Sequence, residues 1–183
     1  FVSLDGTKDT TNKLRGEIFD RVIENIESSS HPKIFINFTI NRQNYLDIEN
    51  FCQLISKIPK IKGIYFYFHT PYYGFDELHL TFEEKKKIAL ELIHLKKKYK
   101  ILNSVDTLFD YINDNWERPS DICKVISENG VLFDCCRSIA KKEACENCGY
   151  LGYLEVRNVV DLKISSVMEA FNYLPLSRRK FFM

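Results

Sequence analysis

The chain has 183 residues, 45% of them hydrophobic, with 26 Lys and Arg against 25 Asp and Glu for a formal net charge of +1. That length suggests one large or two small domains, and the apolar content is ample for a packed core, which excludes disordered and fibrous classes. The balanced charge offers no global field to steer nucleic acid or an acidic membrane, no apolar run approaches the roughly 20 residues that span a bilayer, and a soluble cytoplasmic protein is expected.

The sequence opens without Met on an apolar pair that runs into Ser3-Leu4-Asp5-Gly6, like the last turn of a strand and its exit loop. A fragment of a longer protein is therefore expected. Leu14, Phe19, Val22, Ile23 and Ile26 then fall on one helical stripe, which predicts an amphipathic helix over 14–26. Lys33 to Ile40 is rich in β-branched and aromatic residues and predicts a strand; Ile48, Phe51, Leu54 and Ile55 mark the apolar face of the next helix, with Cys52 as a core thiol.

A third strand is predicted from Ile61 to Phe68, followed by a long loop from His69 to Leu80. Thr81 with Glu84 three residues on forms a capping-box pattern for a helix whose lysine runs, Lys85 to Lys87 and Lys96 to Lys98, read as its wet side. A short strand is expected near Ile101. Strands alternating with crossover helices pair in parallel, so the fold class is α/β, a parallel sheet or barrel. Chemistry in such folds gathers at the carboxyl ends of strands. Here those ends are Ser3 to Gly6, Thr39 to Asn44, Phe68 to Gly74 and Leu102 to Ser104.

After Asn115 the character changes, which divides the chain into 1–115 and 116–183. Two short apolar runs flank Asn129-Gly130, a pair suited to a type I′ hairpin turn. A last amphipathic helix is expected from about Val159 to Leu174.

Five of the six cysteines lie between Cys123 and Cys148. Clustered thiols in a reducing compartment point to metal or redox chemistry more than to disulfides. Cys145 and Cys148 form a C-x-x-C, while Cys123 and Cys135 or Cys136 stand at the two ends of the expected hairpin, so four thiolates can meet. Their softness favours zinc or an iron–sulfur cluster, and spacing leaves both open, along with a purely structural zinc knob.

Ser3-Leu4-Asp5-Gly6 followed by Arg15-Gly16, the strand ending in Thr39-Ile40-Asn41, the third strand running into His69-Thr70-Pro71-Tyr72, and the hairpin ending in Cys135 resemble, in that order, the radical SAM enzymes. The resemblance begins at the family's fourth strand and ends in its twitch or SPASM extension. It implies the C-terminal half of a partial TIM-like barrel over 1–115 and an auxiliary 4Fe–4S cluster over 116–183, with ligands among Cys123, Cys135, Cys136, Cys145 and Cys148. The family's Cys-x3-Cys-x2-Cys motif is absent from the sequence, so the chain as it stands is expected to be inactive alone.

In that family a cluster reduces S-adenosylmethionine to a 5′-deoxyadenosyl radical that abstracts a hydrogen atom from the substrate. The resemblance implies that Ser3 and Asp5 bond the ribose or amino group of S-adenosylmethionine and that Arg15 pairs with its carboxylate. Thr39, Asn41 and Asn44 would line the same cavity, and a flavodoxin or ferredoxin would supply electrons. Residue by residue, plainer readings stand beside these: Ser3 and Asp5 as caps of the next helix, Asn41 and Asn44 as turn residues, His69 as a structural group, and Tyr72 and Tyr73 as packing.

Overall fold

The computed structural model of the protein describes residues 1–118, 122–134 and 142–173. Three strands, β1 (Val2–Ser3), β2 (Ile34–Ile40) and β3 (Ile61–Phe68), form a parallel sheet in sequential order. The expected short strand near Ile101 extends it as a single parallel bridge to Ile64. Strict alternation along β2 puts Ile34, Ile36, Phe38 and Ile40 on one face and Asn37 and Thr39 on the other. The apolar face is closed: Phe38 packs on Phe66 of β3 and on Phe51, with ring centroids 5.2 and 5.1 Å apart.

Helices α3 (Ile48–Ile55) and α4 (Phe82–Leu95) follow the expected apolar stripes, and the capping box at the start of α4 is complete, Thr81 and Glu84 bonding reciprocally. Cys52 is buried in α3 as expected, and burial pushes its thiol up to about 12. The single helix expected over 14–26 is instead two, α1 (Lys8–Arg15) and α2 (Phe19–Ser28). Gly16 separates them at φ +82°, a left-handed conformation that ends a helix and that glycine adopts without strain.

Helix α5 (Val105–Ile112), not anticipated from the sequence, starts at Ser104, whose side chain accepts from Thr107 N. The hairpin is present as β4 (Val125–Ile126) and β5 (Leu132–Phe133), antiparallel. Its turn is not type I′. Of its central residues only Gly130 has positive φ, and Gly130 N donates to Ser127 O, the pattern of a type I turn closed by a left-handed glycine. Next comes α6 (Lys142–Glu146), a single turn and a half.

The helix expected from about Val159 to Leu174 forms only as the shorter α8 (Ile164–Ala170); an unanticipated helix, α7 (Leu151–Val160), precedes it, with Leu162 at φ +57° between them. Polar pairs hold both against α5: Ser104 and Ser166 hydroxyls at 2.7 Å, Asp106 and Ser165 each donating a backbone N–H to the other's side-chain oxygen at 2.9 Å, and Asn158 to Asp110 at 2.8 Å. Lys163 pairs with the same Asp110. Among the described residues no helix is long and apolar enough to cross a membrane.

Candidate functional site

The carboxyl ends of β1 and β2 are tied into one polar cluster. Asp5, 5% exposed just past β1, accepts from Thr39 N at 2.8 Å and from Arg15 Nε at 2.5 Å, so both carboxylate oxygens are used. Arg15 at the end of α1 commits only Nε to this pair, and its side chain remains about one-third exposed. The two Nη groups keep their donor fork for a carboxylate, which is the geometry that a bidentate anion requires.

Asn44, fully buried, stitches the two strand ends together: its amide donates to Asp5 O at 3.0 Å and to Thr39 O at 2.9 Å, and its oxygen accepts from Asn41 N at 2.7 Å. Asn41 spends its own oxygen on Gln43 N at 2.8 Å, which makes it a turn residue in this conformation. The capping alternative for Ser3 and Asp5 does not hold. The N-cap of α1 is Thr7, and the carboxylate that serves that end is Asp47, which accepts from Thr7 N at 2.7 Å and from its hydroxyl at 2.8 Å. Between them Gly6, at φ +148°, leaves no room for a side chain: a Cβ would lie 2.6 Å from Thr10. Ser3 is exposed on β1, beside Asn37 in register.

At the third strand end, His69 bonds Asp76 through Nε2 at 2.9 Å, while Tyr72 and Tyr73 are exposed in the loop beyond. The cysteine-bearing segment reaches this same edge. Phe68 N donates to Gly149 O at 2.9 Å and Gly149 N donates to the Thr70 hydroxyl at 2.9 Å, so the residue after the C-x-x-C is bonded to the end of β3. A Cβ at Gly149 would come within 2.1 Å of Phe68 O, which is why glycine stands there.

Within the C-x-x-C, Cys148 N bonds Cys145 O at 3.1 Å, closing one turn; Cys148 and Cys123 are buried and Cys145 half-buried. Cys135 and Cys136 lie outside the described residues. Among the described residues no three His, Cys, Asp or Glu side chains converge as a metal site.

The wet-side reading of the first lysine run fails at Lys85. It is 1% exposed, and its ammonium donates to Asn147 O, inside the C-x-x-C, at 3.2 Å. Burial pulls its pKa down to about 8, opposed by nearby Cys148 and reinforced by Arg118. No carboxylate pairs with it among the described residues. A buried cation without a carboxylate is costly unless an anion sits beside it, and the thiolates of a metal centre are such anions. The donor chemistry of Cys145 and Cys148 beside Lys85 therefore suits a soft metal or cluster.

The sheet face opposite the apolar core carries Asn37, Thr39, Tyr65 and Tyr67. Tyr67 stacks on Tyr150 at 4.9 Å, and Tyr173 lies over Phe35 and Phe1 at 5.5 and 5.9 Å. Sequence reasoning named Asn44 only as a cavity-lining or turn residue and did not single out Asp47, Lys85 or Tyr65. Only the tyrosines left a signal, in the alternation Tyr65-Phe66-Tyr67-Phe68, which sends phenols to one face and apolar rings to the other. Comparison with known proteins gives no match: no protein-family model, no curated protein and no solved structure shows significant similarity to the chain.

Proposed function

We propose that the chain forms the C-terminal part of a radical SAM enzyme, with an auxiliary iron–sulfur centre on the segment after residue 115. The observation that carries this reading is the placement, at the carboxyl ends of one sequentially ordered parallel sheet, of an arginine-bearing polar cluster on β1 and β2 and a C-x-x-C bonded to the end of β3. A sheet with strands in chain order, one face closed by an apolar core and the other polar and partly open, is what half of a (βα) barrel would present.

In this reading Arg15 would hold the carboxylate of S-adenosylmethionine. Asp5 positions Arg15 rather than touching the ligand, because both of its oxygens are occupied. Ser3, Thr39 and Asn41 would flank the ligand, Ser3 from its exposed place on β1. Cys145 and Cys148 would hold the auxiliary cluster, with Cys123 and one of Cys135 and Cys136 as further ligands, and Lys85 would balance its negative charge. When bound, these groups would supply electron transfer and hydrogen-atom abstraction. The protein's part is to orient them and keep water out along a buried edge. The sequence holds no Cys-x3-Cys-x2-Cys motif, so turnover is expected only when another segment or chain provides one, along with a reductant protein such as a flavodoxin or ferredoxin.

Metal and acid-labile sulfide analysis of anaerobically purified protein tests the reading. About four iron and four sulfide per chain, lost in the Cys145→Ala/Cys148→Ala double variant, is the expected result. Zinc without sulfide would replace the enzyme reading with a structural zinc knob on a partner-binding α/β module.

A further inference from the structure

Four atoms able to accept a hydrogen bond are buried without a partner around the middle of the polar sheet face: Asn37 Oδ1, Tyr65 Oη, Tyr173 Oη and Glu155 Oε1. Tyr65 and Glu155 are 4% and 7% exposed, so solvent does not serve them. Their positions converge. Asn37 and Tyr65 are register partners on β2 and β3, on strands about 4.8 Å apart, and their side chains leave the sheet on the same side. Tyr173 covers the neighbouring Phe35, and Glu155 comes in from α7, its other oxygen accepting from Ser104 N at 3.1 Å.

The electrostatics agree with that placement. Burial first, and then the charge of Glu155, raise the pKa of both Tyr65 and Tyr173, and burial raises that of Glu155 itself. The other carboxylate facing this group, Glu169, is already paired with Lys96. Glu155 has no ion-pair partner among the described residues.

We propose that Asn37, Tyr65, Glu155 and Tyr173 form a binding site for a protonated primary amine. An ammonium brings three donors and one positive charge, and the cluster offers an amide oxygen, a carboxylate oxygen and two phenol oxygens able to accept, each phenol also carrying one proton of its own to donate. Leaving such atoms buried and unpaired destabilises the fold, so their concentration in one place marks a site shaped for a ligand. On the β1 side, exposed Ser3 lies beside Asn37 in register. The site is built from the sheet face, α7 and Tyr173, and does not depend on the cysteine chemistry.

Isothermal titration of the full chain with n-butylamine, and with n-butanol as its uncharged counterpart, tests the site. Saturable binding of the amine, none of the alcohol, and at least tenfold weaker amine binding in Glu155→Gln are expected. Tyr65→Phe supplies a second measure. It removes a hydroxyl that has no partner in the free protein, so it should raise the urea unfolding midpoint while weakening amine binding. Absence of saturable amine binding by protein with a folded circular dichroism spectrum would overturn the proposal. So would equal binding by Glu155→Gln, or a lowered midpoint in Tyr65→Phe, which would mean that an ordered water already satisfies the hydroxyl.

Discussion

Asp5 and Lys85 are buried charges near the same edge of one sheet, and the protein treats them in opposite ways. Asp5 has a cation, a backbone donor and no unused oxygen. Lys85 has a single carbonyl and, among the described residues, no carboxylate. The first is a finished structural device that fixes Arg15 and joins β1 to β2. The second lacks a negative partner among those residues, and in the proposed reading the thiolates of Cys145 and Cys148 would supply it.

The largest effect should come from breaking the finished side. Asp5→Ala strands Thr39 N and frees Arg15, and a loss of about 3 kcal/mol is expected in urea unfolding, the lower end for a broken buried pair because Arg15 is partly exposed. An unchanged unfolding curve would mean that the cluster does not join the strands.

Lys85 should behave in the reverse sense in metal-free protein. Its folded pKa of about 8 lies below the unfolded value of 10.5, so between those values the unfolded chain binds more protons and stability rises with pH. The penalty is present in full below about pH 8 and is relieved as pH climbs toward 10.5. Lys85→Met should abolish that rise, worth up to about 3 kcal/mol, when its stability is compared with wild type between pH 7 and pH 10. In metal-loaded protein the same variant should bind its metal less tightly, measured by competition with a chelator. Equal retention would remove Lys85 from the metal site.

Gly149→Ala attacks the joint between the two sides. A methyl within 2.1 Å of Phe68 O must push the C-x-x-C away from β3, and a destabilisation of about 2 kcal/mol is expected, with faster amide exchange at Phe68. The smallest change is Thr81→Ala, which removes the cap of the helix that carries Lys85. It should cost about 1 kcal/mol in thermal or urea unfolding. Its ion-paired neighbour Glu84, held down to about 2 by Arg42 and the Thr81 cap, should leave that difference unaltered until pH falls toward that value.

Much of the fold was legible in the residues. The β-rich runs ending at Ile40 and Phe68, the apolar stripe of α3 and the Thr81–Glu84 cap each depend on neighbours a few positions apart, and each formed nearly where expected. The misplaced boundaries were the breaks at Gly16 and Leu162, where an apolar stripe continues through a residue that leaves the helix. Helix α5 was overlooked although Val105, Leu108, Phe109 and Ile112 stand at helical spacing; its inward face mixes buried Leu108 and Tyr111 with Ser104, Thr107 and Asp110, which the structure spends on α7 and α8.

The candidate site divides in the same way. Asp5 and Thr39 were named from strand ends, Arg15 from the family resemblance, and Cys145 and Cys148 from their spacing, so these candidates needed one dimension only. Lys85 was not, because a lysine in a run of three on an amphipathic helix looks solvated until Asn147, 62 positions later, is laid over it. Sequence by itself determined the order of strands and helices, the parallel pairing and the thiol-rich segment, since these follow from local propensity and chain connectivity. Tertiary structure alone decided which charges are buried and which polar atoms are left without partners. Burial and pairing are properties of residues far apart in the chain, and they exist only once the sheet has brought those residues together.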